Sequence, residues 1–277
     1  MKTISAFTSS TFAKLSAFSA FALASLSASA GAPSAHDIMD RSEGAQRLRD
    51  VTAAATITTG DASGETRVKT FTMWRRIEGD NVHFATLTRF ALPAEIRGEG
   101  ILFEEHAGDE NDVQLYLPRY KKVRRVEAQS QSASFMGSAL SYSDIATPHI
   151  DDYNHKLLRS EPCPAETTVS CFVLELTPKS DEIAERAGYS KNVQWVRSDN
   201  FMSAQTELYD RSGRLWKRIT ASDIKEVDPA GHKFFTCSLR VDDLLAKRFT
   251  TLRFEQVKAN TGLADAVFTT QNLAREM

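Results

Sequence analysis

The stretch QSASFMGSALSYSD, residues 131–144, comes nearest to suggesting catalysis, because Ser138 follows Gly137 in a run of small hydroxyl residues. A serine hydrolase that carries its nucleophile on a strand–turn–helix elbow needs the pattern G-x-S-x-G. The text around Ser138 reads MGSALS, which lacks the second glycine, and no helical pattern follows it. The stretch therefore does not predict a nucleophile, and an esterase that uses Ser138 is kept only as an alternative.

No other group of residues has the spacing that acid–base or metal chemistry requires. Glu104 and Glu105 are adjacent in a predicted strand, so their side chains point to opposite faces and cannot act as one acid–base pair. HExxH and glycine-rich phosphate loops do not occur. No two histidines are two or four residues apart; they stand at positions 36, 83, 106, 149, 155 and 232. We therefore expect no catalytic residues, no metal site and no cofactor.

A dense basic run, residues 119–125, could contact an anionic surface. It places Arg119, Lys121, Lys122, Arg124 and Arg125 on one strand and its entry. Such a strand can bind phospholipid head groups, lipopolysaccharide phosphates or an acidic partner. The alternative, which these residues alone favour, is a solvated sheet edge protected by Lys and Arg. The formal net charge of the chain is −2, which disfavours binding to nucleic acid.

The N-terminal text has the pattern of an export signal. Lys2 and Lys14 precede an apolar stretch over residues 15–26, and Ala28-Ser29-Ala30 supplies the small-x-small pattern that signal peptidase accepts. The apolar stretch is short for a permanent membrane span, which leaves an uncleaved anchor as the alternative. We expect a signal peptide of residues 1–30, cleaved after about Ala30, and one exported domain of residues 31–277.

The three cysteines suggest one disulfide. Cys163 and Cys171 are eight residues apart across CPAETTVSC, a spacing that favours a disulfide at the mouth of a hairpin in an oxidising compartment. Two free thiols are the alternative. Cys237 alternates in phase with Phe235 and Leu239, so we expect a buried thiol there.

The elements that must position these residues are almost all strands. Before them, Ser34 as N-cap and Asp37 three residues later begin a predicted helix that runs to about Leu48. Short helical turns are expected over 181–188 and 269–276. Roughly a dozen runs with strand patterns and turn signals between them predict one domain with an antiparallel sheet curved into a sandwich or barrel. These runs are 51–59, 66–79, 81–90, 100–106, 112–118, 121–127, 153–161, 168–178, 193–200, 203–210, 213–227, 233–243 and 249–258.

Aromatic residues on otherwise polar strands, such as Trp74, Trp195 and Trp216, suggest an apolar concave face. A curled antiparallel sheet that does not close leaves such a face, which side chains, a helix or a ligand must fill. Taken residue by residue, ordinary core packing is the simpler interpretation.

The central text LYLPRYKKVRRVEAQSQSASFMGSALSYSD resembles the outer-membrane lipoprotein-sorting-like proteins, a branch of the LolA/LolB-like carriers found near RND-type exporters. RGEGILF (97–103), ELYDRSGRLWKRITASD (207–223) and TTLRFEQVKANTGLADAVFTTQNL (250–273) extend the resemblance over most of the mature chain. One position departs, because the family's acid after Gly-Ser is Ala139 here, so any role of that acid in closing the loop depends on Asp144. The matching central residues are Tyr116, Leu117, Pro118, Lys122, Val123, Arg124, Arg125, Ser134, Phe135, Met136, Gly137, Ser138, Tyr142 and Asp144.

The resemblance implies a mainly β fold: an incomplete, strongly curved antiparallel barrel of about eleven strands, with helices and loops as a lid over an apolar cavity. It implies a non-enzymatic carrier of a lipid or acyl-chain ligand across the periplasm, with no cofactor. The expected partners are lipid or lipid-anchored cargo and an RND-type inner-membrane transporter, and we expect a monomer. The alternative is a non-catalytic envelope scaffold that contacts an anionic partner through residues 119–125.

Site residues follow from this interpretation. The side chains expected to line the cavity are Trp74, Phe84, Phe90, Leu102, Leu115, Leu117, Trp195 and Trp216. The expected lid residues are Phe135, Met136, Gly137 and Tyr142. Lys122, Arg124 and Arg125 are expected to contact a head group or a partner.

Overall fold

The first helix begins where the capping pattern predicts. In the computed structural model, which describes residues 33–79, 83–106, 111–127, 134–142, 144–145 and 149–275, helix α1 spans Ala35–Gln46. The Asp37 N–H donates to Ser34 Oγ (3.1 Å) and the Ser34 N–H donates to Asp37 Oδ2 (3.1 Å), which completes a capping box. The helix ends two residues before the expected Leu48, because the Arg47 backbone is extended. The predicted signal peptide, residues 1–30, lies outside the described residues.

Each of the runs with a strand pattern forms one strand, so the described chain has thirteen strands rather than the eleven or so that the resemblance implies. Two further helices are short: α2 (Asp181–Ala187) and α3 (Thr270–Leu273). No helix in the described ranges is long and apolar enough to cross a bilayer. The strands are β1 (Asp50–Asp61), β2 (Thr66–Ile77), β3 (Phe84–Leu92), β4 (Gly100–Glu104), β5 (Asp112–Leu117), β6 (Lys122–Arg125), β7 (Tyr153–Pro162), β8 (Ser170–Pro178), β9 (Lys191–Arg197), β10 (Ser203–Tyr209), β11 (Leu215–Asp228), β12 (Lys233–Asp243) and β13 (Arg248–Ala259).

All thirteen strands form one curved antiparallel sheet that does not close. The order is β6-β5-β4-β3-β2-β1-β13-β12-β11-β10-β9-β8-β7, so the chain winds outward to β6, crosses to β7 and winds back until β13 pairs with β1. The outermost strands are therefore β6 and β7. The prediction of a mainly β, open half-barrel is confirmed.

One face of the sheet is apolar and carries α1; we call it the helix face. Ile38 of α1 is fully buried against Leu174, Val196 and neighbouring side chains of β7–β10. A second apolar cluster on this face runs from β5 through β1 to β11, and Ile219 borders both clusters. Alternation along each strand explains the face, since β1 buries every second residue from Val51 to Ile57.

The C-terminal segment, residues 263–274, covers part of the opposite face. Phe268 and Leu273 pack on Leu87, Leu102 and Tyr116 there. The guanidinium of Arg89 donates to the backbone carbonyl oxygens of Asn272 (2.7 Å), Leu273 (3.1 Å) and Arg275 (2.9 Å). These charge-assisted bonds hold the segment on the sheet.

The other end of the opposite face contains the disulfide. Cys163 and Cys171 are bonded, with their Cα atoms 5.0 Å apart, at the hairpin between β7 and β8. Both sulfurs are buried with Val173 and Trp195. Cys237 is a free, buried thiol, as its alternation predicts.

Candidate functional site

A short segment of the chain between β6 and β7 lies across the helix face. We call residues 134–142 with Asp144 and Ile145 the lid segment. Phe135, Leu140 and Tyr142 are each less than a tenth exposed and join the apolar cluster of β1–β5 and β11–β13. The rings of Phe135 and Tyr142 meet edge to face at 5.4 Å. The segment therefore occupies the apolar face with its own side chains.

The serines of the lid segment fold it into a compact turn. The Phe135 N–H donates to the Leu140 carbonyl (2.7 Å), and Ser134 Oγ donates to the Ser138 carbonyl (2.5 Å). Ser138 is fully buried, and its hydroxyl accepts from the Leu140 N–H (3.1 Å) and donates to the Leu140 carbonyl (3.3 Å). The hydroxyl of Ser138 thus satisfies the backbone of the turn.

The centre of this turn has left-handed backbone geometry. Met136 has φ = 49° and Gly137 has φ = 74°. A side chain with a Cβ is disfavoured at positive φ, so Met136 is held there by its surroundings. Its carbonyl oxygen accepts a hydrogen bond from Lys69 Nζ at 2.6 Å. Burial and the nearby Arg67 lower the pKa of Lys69, and the carboxylate of Glu99 partly offsets this.

Two more polar contacts join the lid segment to distant strands. The Ala139 N–H donates to Thr250 Oγ1 of β13 (2.8 Å), and both residues are buried. Asp144 forms an ion pair with Lys217 of β11 at 2.5 Å; these side chains are 4% and 2% exposed. Asp144 Oδ2 also accepts from the Ser141 N–H (2.8 Å). Asp144 therefore supplies the carboxylate that joins this turn to the sheet. Ala139, which stands where the family has an acid, packs against the core.

Four of the eight side chains expected to line a cavity lie on the helix face. Phe90 is fully buried near the end of β3, Phe84 is buried at the start of β3, and Leu115 and Leu117 are half-buried near the edge strand β6. The Arg75 guanidinium lies 3.8 Å from the Phe84 ring on the same face.

The other four lie elsewhere. Trp74 and Leu102 share the opposite face with the C-terminal segment. Trp195 packs beside the disulfide, and its Nε1–H donates to Glu161 Oε1 (2.6 Å). Trp216 stands at an irregularity of the β10–β11 pairing, with its ring 4.0 Å from Lys217 Nζ. It remains a prediction that the four side chains on the helix face line a ligand site.

The basic strand β6 divides its charges between the two faces. Lys122 pairs with Leu117 and Arg124 pairs with Leu115, so both project from the helix face at the sheet edge, and both are exposed. Arg125 pairs with Gln114 and forms an ion pair with Asp112 at 2.9 Å.

The sequence interpretation missed Lys217 and its contact with Asp144. The two residues are 73 positions apart. Lys217 alternates in phase with Leu215 and Ile219 within the stretch 207–223 that extends the resemblance, and this phase was the available signal that it faces inward. Within the described residues no group of three or more His, Cys, Asp or Glu side chains is arranged to hold a metal ion.

Three solved structures share this fold over most of both chains. A DUF1329 family protein from Desulfovibrio piger is 27% identical, with 86% of this chain and 97% of that chain covered and a TM-score of 0.79. A putative outer membrane lipoprotein-sorting protein domain from Vibrio parahaemolyticus is 24% identical, with 87% and 98% covered and a TM-score of 0.78. A LolA superfamily protein from Nitrosomonas europaea is 21% identical, with 87% and 100% covered and a TM-score of 0.66. The half-barrel is therefore the fold of these proteins.

A family model described as an uncharacterized protein matches residues 84–275, which is more than half of the chain, so the chain belongs to that family. Its fold is LolA-like, as the resemblance of its central text predicts. No curated protein matches it.

Proposed function

We propose that this LolA-like protein is a periplasmic carrier that binds a lipid or an acyl chain on the helix face, beneath the lid segment. The observation that carries the proposal is that the short lid segment lies over a broad apolar cluster on the helix face. The apolar cluster extends over β1–β5 and β11–β13, and Phe135, Leu140 and Tyr142 fill it. The relatives described as lipoprotein-sorting and LolA superfamily proteins share this fold and support the same role.

Displacement of the lid segment would expose a surface that an acyl chain can cover. Each methylene that leaves water contributes about 0.8 kcal/mol, so a long chain can replace the apolar contacts of Phe135 and Leu140. Met136 would repack against different chains, because its side chain is unbranched and flexible. The side chains that would line the binding surface are Phe84, Phe90, Leu115 and Leu117.

Lys122 and Arg124 are the two basic residues of β6 that could meet a head group or a partner at the rim of this face. Arg125 is the matched control, because it points to the opposite face and is paired with Asp112. In this proposal the protein is a monomer and passes its cargo to or from an RND-type transporter of the inner membrane.

The test is native mass spectrometry and lipid extraction of protein purified from the periplasm. We expect copurified lipid, and we expect the variant Phe90→Asp, which puts a charge into the apolar cluster of the helix face, to be lipid-free. A control variant, Arg125→Glu, should keep its lipid. Fully lipid-free wild-type protein that also fails to take up added acyl lipid would refute the carrier.

The envelope scaffold is the second candidate, favoured by the exposed position of Lys122 and Arg124 on an outermost strand. If the double variant Lys122→Glu/Arg124→Glu keeps its lipid content but no longer retains an envelope partner in a pull-down, β6 is a partner surface and the scaffold gains support. Loss of lipid in the same variant assigns β6 to the carrier.

A further inference from the structure

The lid segment places on the helix face the two chemical groups that an anionic lipid would bring. Phe135 and Leu140 bury apolar carbon among the side chains of the sheet. Asp144, in the same segment, brings one carboxylate to Lys217. A fatty acid has the same two parts, an apolar chain and a single anionic group.

Lys217 is unusual in its surroundings. It is the one lysine among the described residues that is fully buried, at 2% exposed, and it projects to the same face as Ile219. Asp243 is its cross-strand neighbour, but the carboxylate of Asp243 accepts from the Ala246 N–H (2.9 Å) and contacts Arg248 (3.3 Å). Among the described residues the Lys217 ammonium forms its ion pair with Asp144.

Opening the lid segment therefore has an electrostatic consequence. A ligand that takes the place of Phe135 and Leu140 must move the segment, and Asp144 moves with it. The ammonium of Lys217 would then stay buried without a counter-ion, which is strongly unfavourable. A ligand that carries its own anionic group restores the pair, whereas a neutral ligand of the same length does not.

We propose that the lid segment is an internal pseudo-ligand, and that Lys217 selects acyl lipids with one anionic group by exchanging the Asp144 carboxylate for that of the ligand. This inference rests on the proposed carrier function and assigns its substrate class. It moves the anionic group from the rim at Lys122 and Arg124 to the interior of the sheet. A carboxylate and a lipid phosphate share the required chemistry.

The test compares pairs of probes that differ only in charge. Delipidated protein is equilibrated with equal amounts of palmitic acid and methyl palmitate, and native mass spectrometry counts each complex. We expect wild-type protein to favour the acid by about tenfold or more, the ratio that corresponds to a difference of about 1.4 kcal/mol. Lysophosphatidic acid against monopalmitoylglycerol, in a second arm, shows whether a phosphate is accepted as well.

Three variants assign the preference to the ion pair. Lys217→Met should bind the acid and the ester equally. Lys217→Met/Asp144→Leu should do the same, and it also removes the Asp144 carboxylate that the single variant leaves unpaired. Asp144→Asn should bind the acid more tightly than wild type, because the internal competitor is gone. Arg125→Gln is the control, because Arg125 points to the opposite face, and its preference for the acid should be unchanged. Arg124→Gln tests separately whether the anionic group lies at the rim.

The outcomes separate this inference from the function on which it rests. Equal binding of acid and ester by wild type overturns the inference and leaves the carrier standing. A preference that survives in the double variant, or that disappears in Arg124→Gln, also overturns it, because the anionic group would then lie at the rim. Failure of wild type to bind any of the probes counts against the carrier itself, and the inference falls with it.

Discussion

Replacing Lys217 by methionine tests whether the buried ion pair holds the lid segment. In Lys217→Met the Asp144 carboxylate, 4% exposed, keeps the 2.8 Å hydrogen bond from the Ser141 N–H but loses its counter-ion. Removal of one partner of a buried pair costs about 3–5 kcal/mol, because the remaining charge is uncompensated. The surviving bond to Ser141 is charge-assisted, so we expect the lower end, about 3 kcal/mol.

The matched control is Lys217→Met/Asp144→Leu. Replacement of a whole buried ion pair by apolar side chains of similar volume is often neutral or stabilising, by up to about 4 kcal/mol. The unfolding free energy of this variant should therefore equal or exceed that of wild type. Urea unfolding followed by far-ultraviolet circular dichroism gives both free energies. For a domain of this size each kcal/mol moves Tm by about 2–4 °C, so the single variant should melt about 6–12 °C lower.

Two results would refute this reasoning. A single variant within about 0.5 kcal/mol of wild type, the range of ordinary surface substitutions, would show that Asp144 reaches water when Lys217 is gone. A double variant as unstable as the single one would show that the loss comes from packing around Lys217 and not from the unpaired carboxylate.

Three further predictions concern the frame that supports the site. Burial raises the pKa of Asp50, but hydrogen bonds from Gly262 and Thr261 outweigh it and hold that pKa below its ordinary value. Its stabilisation is therefore present above about pH 3.9, the unfolded value, and is lost as the pH falls through the folded value. Asp50→Asn should cost about 1–3 kcal/mol at neutral pH and flatten the acid limb of a pH-dependent unfolding curve. Arg89→Met should free the C-terminal segment, seen as faster amide exchange over residues 263–275, whereas slow exchange there would show that Leu273 packing suffices. Cys163→Ser/Cys171→Ser should lower the unfolding free energy by about 2–3 kcal/mol, and reduction of wild type should reproduce that loss.

The local part of the fold could be predicted from the sequence because local physics decides it. Alternating side chains and turn residues mark each strand, so the strand-patterned runs each correspond to one strand. Ser34 and Asp37 mark the start of α1 because the cap is completed within three residues. The eight-residue spacing of Cys163 and Cys171 allowed the disulfide to be predicted for the same reason.

The choice of face was not predictable in this way. All of β4 from Gly100 to Phe103 is buried, so both of its faces are apolar, and alternation alone does not say which one meets the lid segment. Ile101 lies beneath the lid segment, whereas Leu102 lies beneath the C-terminal segment, whose Leu273 is 171 positions away in the chain. For that reason Trp74 and Leu102 lie on the face opposite to Phe84 and Phe90, although all four were predicted to line one cavity.

The sequence by itself determined the strands, the capped helix, the disulfide and the Phe135–Met136 turn beside a basic strand, since each depends on neighbours within a few residues. Only the tertiary structure decided that β13 returns to pair with β1, that the turn lies on the apolar face, and that Asp144 reaches Lys217. Those contacts join residues far apart in the chain. They depend on which surfaces the whole sheet leaves to be buried, and a local pattern holds no information about that.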